Sequence, residues 1–239
     1  MSSGWAINID IEGFSQNYEY SEDRKTFAIL AIGELMHSIE AIGTRCYPGD
    51  QNIHYSDRLF AHQFGDGFII ISDYPEPTSE RAISIAVAIM RHMISKGYAT
   101  KAAISNGDMS DIRGCYPHPM RDANDERVDM GMGLMTIISV MGTSLTKAHR
   151  LSNTKSGSVL ILDKEIIKAG LPDGVMISDG EDNCINWISS NLPLSHKISD
   201  KANLLSPTPE ALLVSFNNYC KQKPCPTEKW INSTLSTIQ

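Results

Sequence analysis

Asp10 closes an apolar run, residues 5–10, and is followed at once by Ile11, Glu12, Gly13, Phe14 and Ser15. Asp66 stands between Gly65 and Gly67, with β-prone runs over 59–64 and 68–71 on either side. A strand that ends in a carboxylate beside a glycine turn suits a cation-bound phosphate: the carboxylate holds the cation and turn amides face the anion. Alone, such a stretch is also an ordinary strand end. Two carboxylates and a backbone carbonyl together can hold a pair of divalent cations on a triphosphate, the arrangement for in-line displacement at phosphorus.

Those carboxylates meet only if the elements carrying them are neighbours. Residues 5–10 read as the first strand. Residues 22–42 have helical spacing, with Phe27, Leu30, Ala31, Glu34, Leu35 and Ile39 on one face and Gly43 as the stop; Ser15 can cap the helix that follows the glycine turn. The runs around Gly65-Asp66-Gly67 predict a hairpin, Asp-Gly supplying the positive φ of a tight turn. A helix follows from Ser79 and Glu80 to Lys96, then a strand over 98–105 closed by Asn106-Gly107-Asp108. Residues 111–129 read as a long surface loop, 133–151 as a helix, 158–162 as a strand, then a short helix ending at Gly170. Residues 174–178 and 183–188 read as two closing strands, and 210–220 and 227–235 as short helices. The order β-α-β-β-α-β predicts an α+β fold with a ferredoxin-like core, extra strands and a C-terminal helical extension. We divide the chain into a domain over 1–204 and an extension over 205–239. In such a core the first strand and the hairpin are adjacent, so Asp10 and Asp66 converge at one edge of the sheet.

The composition narrows the partners. A chain of 239 residues, 41% hydrophobic and 21% charged, describes an ordinary globular protein. The net charge of −7 offers no basic excess for nucleic acid. Five scattered cysteines, with no CxxC pair, fit neither a disulfide framework nor structural zinc and suit a reducing cytoplasm. The N-terminus has no signal-peptide pattern, and apolar runs such as 83–90 fall short of the ~20 residues of a membrane span, so no membrane insertion is expected. Met130, Met132, Met135 and Met141 read as adaptable packing. His118 and Arg121 read as solvated loop residues.

Three stretches in order, Asp10-Ile11-Glu12-Gly13-Phe14-Ser15, Phe64-Gly65-Asp66-Gly67, and Gly142-Thr143-Ser144-Leu145-Thr146-Lys147-Ala148-His149-Arg150-Leu151, together resemble the class III nucleotidyl cyclases. The form of the first looks particularly like the bacterial pyrimidine cyclases of antiphage defence, whose cyclic UMP or cyclic CMP is a second messenger for a separate effector. The resemblance implies that Asp10 and Asp66 are metal ligands with the Ile11 carbonyl assisting, for two divalent cations per site, Mn2+ or Mg2+. It places Gly13, Phe14 and Ser15 under the triphosphate and makes Arg150 the residue that stabilises transition-state charge. It also implies a homodimer with composite sites, metals from one chain and arginine from the other.

Three positions depart from the purine enzymes. Thr146 stands where they usually carry an asparagine one turn before the arginine. His62 stands where adenylyl cyclases have lysine and guanylyl cyclases glutamate. Ser139 replaces the companion aspartate or cysteine. His62 and Ser139 suit a smaller base with carbonyl acceptors. The expectation is therefore conversion of UTP to 3′,5′-cyclic UMP and pyrophosphate. The alternatives are CTP, a purine triphosphate, or an inactive nucleotide-binding dimerisation module.

Overall fold

The computed structural model describes residues 2–46, 59–72, 78–116, 127–130, 133–136, 140–178 and 183–238. Strand β1 (Ser2–Ile11) leads through a short helix α1 (Phe14–Tyr20) into the long helix α2 (Glu22–Cys46). The hairpin β2 (Leu59–Phe64) and β3 (Gly67–Ser72) follows, then α3 (Glu80–Ser95) and β4 (Thr100–Asp111). Strands β2-β3-β1-β4 lie in that spatial order, each neighbouring pair antiparallel. This is the ferredoxin-like β-α-β-β-α-β core expected from the sequence.

Beyond the core, a small hairpin of β5 (Arg127–Met130) and β6 (Gly133–Thr136) stands apart, and β7 (Val140–Met141) pairs with the end of β4. Helix α4 (Thr143–Ser152) leads to β8 (Leu160–Leu162), which joins β4 in parallel; after α5 (Lys164–Ala169), β9 (Cys184–Ile185) extends the sheet. Helices α6 (Pro193–Ala202), α7 (Pro209–Cys220) and α8 (Glu228–Ile238) complete the described residues.

Alternation along β1 divides the two faces of the sheet. Ile7, Ile9 and Ile11 point into the main core with Leu35 and Ile42 of α2 and Ile83, Ile89 and Met90 of α3. Fully burying one such aliphatic side chain is worth about 1.5–3 kcal/mol. Leu212 and Phe216 of α7 and Trp230 and Ile238 of α8 belong to the same core. Ala6 points the other way, to a smaller core shared with Ile69, Ile71 and the α4 residues Leu145 and Ala148. Helix α4 is tied down on that face where Asn8 Nδ2 donates to Ser152 Oγ at 3.0 Å. The buried Arg91 guanidinium fastens α3 to the turn after β9, donating to the carbonyls of Trp187, Ile188 and Ser190 at 2.9, 3.0 and 2.6 Å.

Several local expectations change. Ser15 caps nothing: α1 begins one residue earlier, and Gly13, at φ 73°, turns the chain into it. Gly43 does not stop α2, which runs on to Cys46. Nor does Asn106-Gly107-Asp108 close β4, because β1 begins at Ser2 and offers partners through Met109. The helix expected over 133–151 begins only at Thr143. Residues 133–136 pair with 127–130 instead, inside the stretch read as a loop. Of the two closing strands, 184–185 pairs with β8, while Ile177 forms a single bridge. Helix α6 was not anticipated. Finally, α2 is by length and composition alone apolar enough to cross a membrane; here its Ala31, Leu35, Ile39 and Ala41 lie in the core.

Candidate active site

Asp10 sits one residue before the end of β1, between two partners on the same rung: Gly67 of β3 and Lys101 of β4. Cross-strand partners share a face, so the Asp10 and Lys101 side chains emerge together, on the α4 side of the sheet. The rung is tight. A Cβ on Gly67 would lie 2.5 Å from the Ile9 carbonyl oxygen and 2.7 Å from Asp10 Cβ. In the hairpin turn, Gly65 rather than Gly67 supplies the positive φ, 64°, and Asp66 follows it. The turn brings the Asp66 carboxylate close enough to act electrostatically on both Asp10 and Lys101.

Burial pushes the Asp10 carboxyl up to about 6; Lys101 opposes the rise, and the negative charges of Glu12 and Asp66 add to it. Asp10 Oδ1 is shielded from solvent and has no hydrogen-bond partner among the described residues. Its Oδ2 lies 3.8 Å from Lys101 Nζ. Burial pulls Lys101 down, but Glu12, Asp10 and Asp66 outweigh it and hold the ammonium above its ordinary range. An orphaned, desolvated carboxylate oxygen beside further acidic charge suits a divalent cation, which would relieve both. Among the described residues no group of three or more His, Cys, Asp or Glu side chains converges on a metal position. The donor set present, two carboxylates and the Ile11 carbonyl, fits a cation that takes its remaining ligands from phosphate oxygens and water.

Glu12 is the second partner of Lys101, at 2.9 Å, and both side chains are only 11% exposed. Its backbone N–H donates to Ala99 O at 3.0 Å, and its carbonyl accepts from Tyr219 Oη at 3.2 Å. Trp230 Nε1 donates to the other carboxylate oxygen, Oε2. The Trp230 ring is held in turn by Phe216, at 6.1 Å between centroids, and by Tyr219, at 5.6 Å.

Above this cluster opens a cavity of about 320 Å3. Its floor is the turn and first helix, residues 11–17, with Asp66 beside them. The opposite wall is Ser156 with Tyr219, Pro224, Pro226, Thr227 and Trp230. The volume is in the range of small-molecule sites.

Half of the residues expected from the sequence line this cavity. Ile11, Gly13, Phe14, Ser15 and Asp66 line the cavity, while Asp10, one position before Ile11, does not. His62 lies opposite Ile69 on the hairpin and therefore on the α4 side of the sheet. Thr146 and Arg150 are exposed on α4, and neither lines the cavity. The Thr146 hydroxyl donates back to the Thr143 carbonyl at 3.2 Å. Ser139, like His118, Arg121 and Met132, lies outside the described residues.

No protein-family model matches the sequence, and no curated protein matches it. Among solved structures, the chain is similar to the guanylate cyclase domain of RhGC from Catenaria anguillulae in complex with GTP. The identity is 14% and the TM-score 0.44, over 77% of this chain and 93% of that one. It is similar to the guanylyl cyclase domain of the RhoGC fusion protein from Blastocladiella emersonii, at 14% identity and a TM-score of 0.44, over 77% of this chain and 94% of that one. A bacterial light-regulated adenylyl cyclase gives 12% identity and a TM-score of 0.43, over 84% and 98%. The likeness lies in the arrangement of strands and helices and assigns no residue a role.

Four residues of the cluster escaped the sequence reading: Lys101, Glu12 as a charge partner, Tyr219 and Trp230. Lys101 left a trace, the one charged residue in the run Ala99-Thr100-Lys101-Ala102-Ala103-Ile104. A lysine buried in a strand needs a carboxylate. Tyr219 and Trp230 left none, because nothing local ties them to residue 12.

Proposed function

We propose that this chain is a metal-dependent nucleotide cyclase that converts a pyrimidine nucleoside triphosphate, UTP first and CTP second, to the 3′,5′-cyclic monophosphate and pyrophosphate. The observation that carries the reading is the pairing at one sheet edge of Asp10, with its orphaned oxygen, and Asp66, beside a buried lysine and under a cavity of nucleotide-binding size. Asp10, Asp66 and the Ile11 carbonyl would hold two divalent cations, Mn2+ or Mg2+. Bound there, such cations lower the pKa of the attacking 3′-hydroxyl and neutralise charge on the triphosphate.

The chain's own groups do the rest. The backbone over Gly13, Phe14 and Ser15 approaches the phosphates closely, since Gly13 leaves no side chain in the turn. Lys101 supplies a fixed positive charge next to Asp10 and balances the phosphate oxygens. Arg150 stabilises charge developing in the transition state, a contribution of about 3–4 kcal/mol for one preorganised donor. Because Arg150 and Thr146 lie away from the cavity of their own chain, they serve the site of a second copy in a homodimer. Thr146 takes the place of a helix asparagine with a shorter reach. His62 reads the base with Ser139, its imidazole donating to a pyrimidine carbonyl. The product would be a second messenger in antiphage defence, read by a separate effector; the chain works in the cytoplasm.

Incubation with each of four nucleoside triphosphates and Mn2+, with products read by mass spectrometry, tests this. Cyclic UMP or cyclic CMP is expected. Cyclic AMP or cyclic GMP as the main product would replace the pyrimidine assignment with a purine one. No cyclic product from any triphosphate would sink the enzyme reading.

A further inference from the structure

We propose that Trp230 and Glu12 are positioning residues for Lys101, so that the segment 205–239 tunes the charge at the candidate site. This inference rests on the cyclase reading for its consequence and on the geometry alone for the coupling. Glu12 is clamped on every polar group: Ala99 holds its N–H, Tyr219 its carbonyl, and Lys101 and Trp230 its two carboxylate oxygens. Two of those four clamps come from α7 and α8. Helix α8 is itself fixed to the segments that flank β8 and β9, where Thr234 Oγ1 accepts from Ser158 N at 2.9 Å and Ser178 Oγ donates to Thr237 O at 2.7 Å.

Lys101 has a flexible four-carbon stem and two carboxylates within reach. It stands 2.9 Å from Glu12 and 3.8 Å from Asp10. A Glu12 carboxylate free to turn would release the ammonium to close on Asp10, its other carboxylate within reach, where it would compete with a divalent cation. Trp230 prevents that turn. Its indole N–H holds Oε2, which leaves Oε1 aimed at Lys101 and keeps Asp10 open. The coupling runs from Trp230 through Glu12 to Lys101; because Trp230 also lines the cavity, the Lys101→Ala background separates this relay from a direct contact.

A double-mutant cycle tests it. Trp230→Phe keeps an aromatic ring beside Phe216 and Tyr219 and removes the N–H together with part of the indole ring, a packing loss that the cycle subtracts. Binding of each of the four 3′-deoxynucleoside triphosphates, which lack the attacking hydroxyl, is measured with Mn2+ by calorimetry for the full chain. Trp230→Phe and Glu12→Gln are each expected to weaken binding at least tenfold. In a Lys101→Ala background, Trp230→Phe should have no further effect. Additive losses, or unchanged binding in Trp230→Phe, overturn the proposal. The same cycle is run in thermal unfolding without nucleotide, where Trp230 and Lys101 should again be coupled. Coupling in unfolding with no analogue bound by the parent chain would uphold the relay and reject the nucleotide reading. Additivity in unfolding rejects the relay whatever the binding shows.

Discussion

Lys101 and Asp10 face each other across one rung of the β1–β4 ladder, yet the lysine sits nearer to Glu12, 2.9 Å against 3.8 Å. The pair is therefore close without being closed. Asp10 keeps one oxygen with no hydrogen-bond partner among the described residues, in a setting that raises its cost of ionisation.

A cation at that position would repay this cost. Mn2+ with a non-cyclisable triphosphate should raise the thermal midpoint of the parent chain. At a hundredfold excess over the dissociation constant the linkage is about 2.7 kcal/mol. Asp10→Ala and Asp66→Ala should lose that rise, and cyclase activity should fall by at least about a hundredfold, the scale of one preorganised electrostatic contribution. Chelation of the metal should return the parent midpoint to its starting value. Activity retained in either variant would reject the two-cation arrangement.

The exposed position of Arg150, away from the cavity, makes a second expectation. Asp66→Ala chains and Arg150→Ala chains should each be inactive. Mixed, they should regain about a quarter of parental activity when subunits exchange at random, because half of the dimers are mixed and each carries one intact site. Size-exclusion chromatography with light scattering confirms that mixed dimers form. Silence in confirmed mixed dimers of folded chains would count against sites shared between copies.

Gly67 tests the tightness of the rung. A methyl group there meets backbone atoms of Ile9 and Asp10 that cannot rotate away. Gly67→Ala should destabilise by about 1–3 kcal/mol, the usual cost of overpacking, and should displace Asp10. Gly65→Ala, strained only by its positive φ, should cost about 1–2 kcal/mol and leave Asp10 in place. Chemical denaturation gives both values, and Mn2+-dependent stabilisation separates them, being lost only in Gly67→Ala.

His92 sets a pH dependence away from the site. Its Nδ1 accepts from Leu205 N at 2.9 Å, so its Nε2 carries the proton shared with Glu34, 2.7 Å away. Burial holds the imidazole below its ordinary value of 6.5, outweighing the Glu34 carboxylate, while Lys96 and His37 lower it further. A depressed histidine contributes stability that is complete above pH 6.5 and declines as pH falls below it, since the unfolded chain takes up the proton first. The thermal midpoint should therefore drop between pH 7.5 and 5.5. His92→Gln should lower the midpoint at pH 7.5 by the worth of one hydrogen bond, about 1 kcal/mol, and flatten the slope. An equal slope in both proteins would show that another group sets it.

The parts of the fold that could be read from sequence were those where one period dominates. Ile7, Ile9 and Ile11 alternate, α2 and α3 repeat their apolar residues every three to four positions, and Gly65-Asp66 punctuates the hairpin. Residues 133–136 defeated the same reasoning. Gly133-Leu134-Met135-Thr136 carries no strong period, and its pairing with 127–130 is decided by a partner strand rather than by local preference. The site divided along the same line. Asp10 and Asp66 announce themselves by turn chemistry, but Trp230 meets Glu12 only because α8 crosses back over the first turn, 218 residues away.

That separation bears on how the protein comes into being. The sheet and its two carboxylates need little beyond β4, and their contacts close early in the chain. The Glu12 clamp is among the most distant in sequence, and distant closures are the slow ones. During synthesis a nascent chain can hold the Asp10–Asp66 edge in place well before Trp230 leaves the ribosome. Its lysine would then be free to rest on Asp10 until α8 docks.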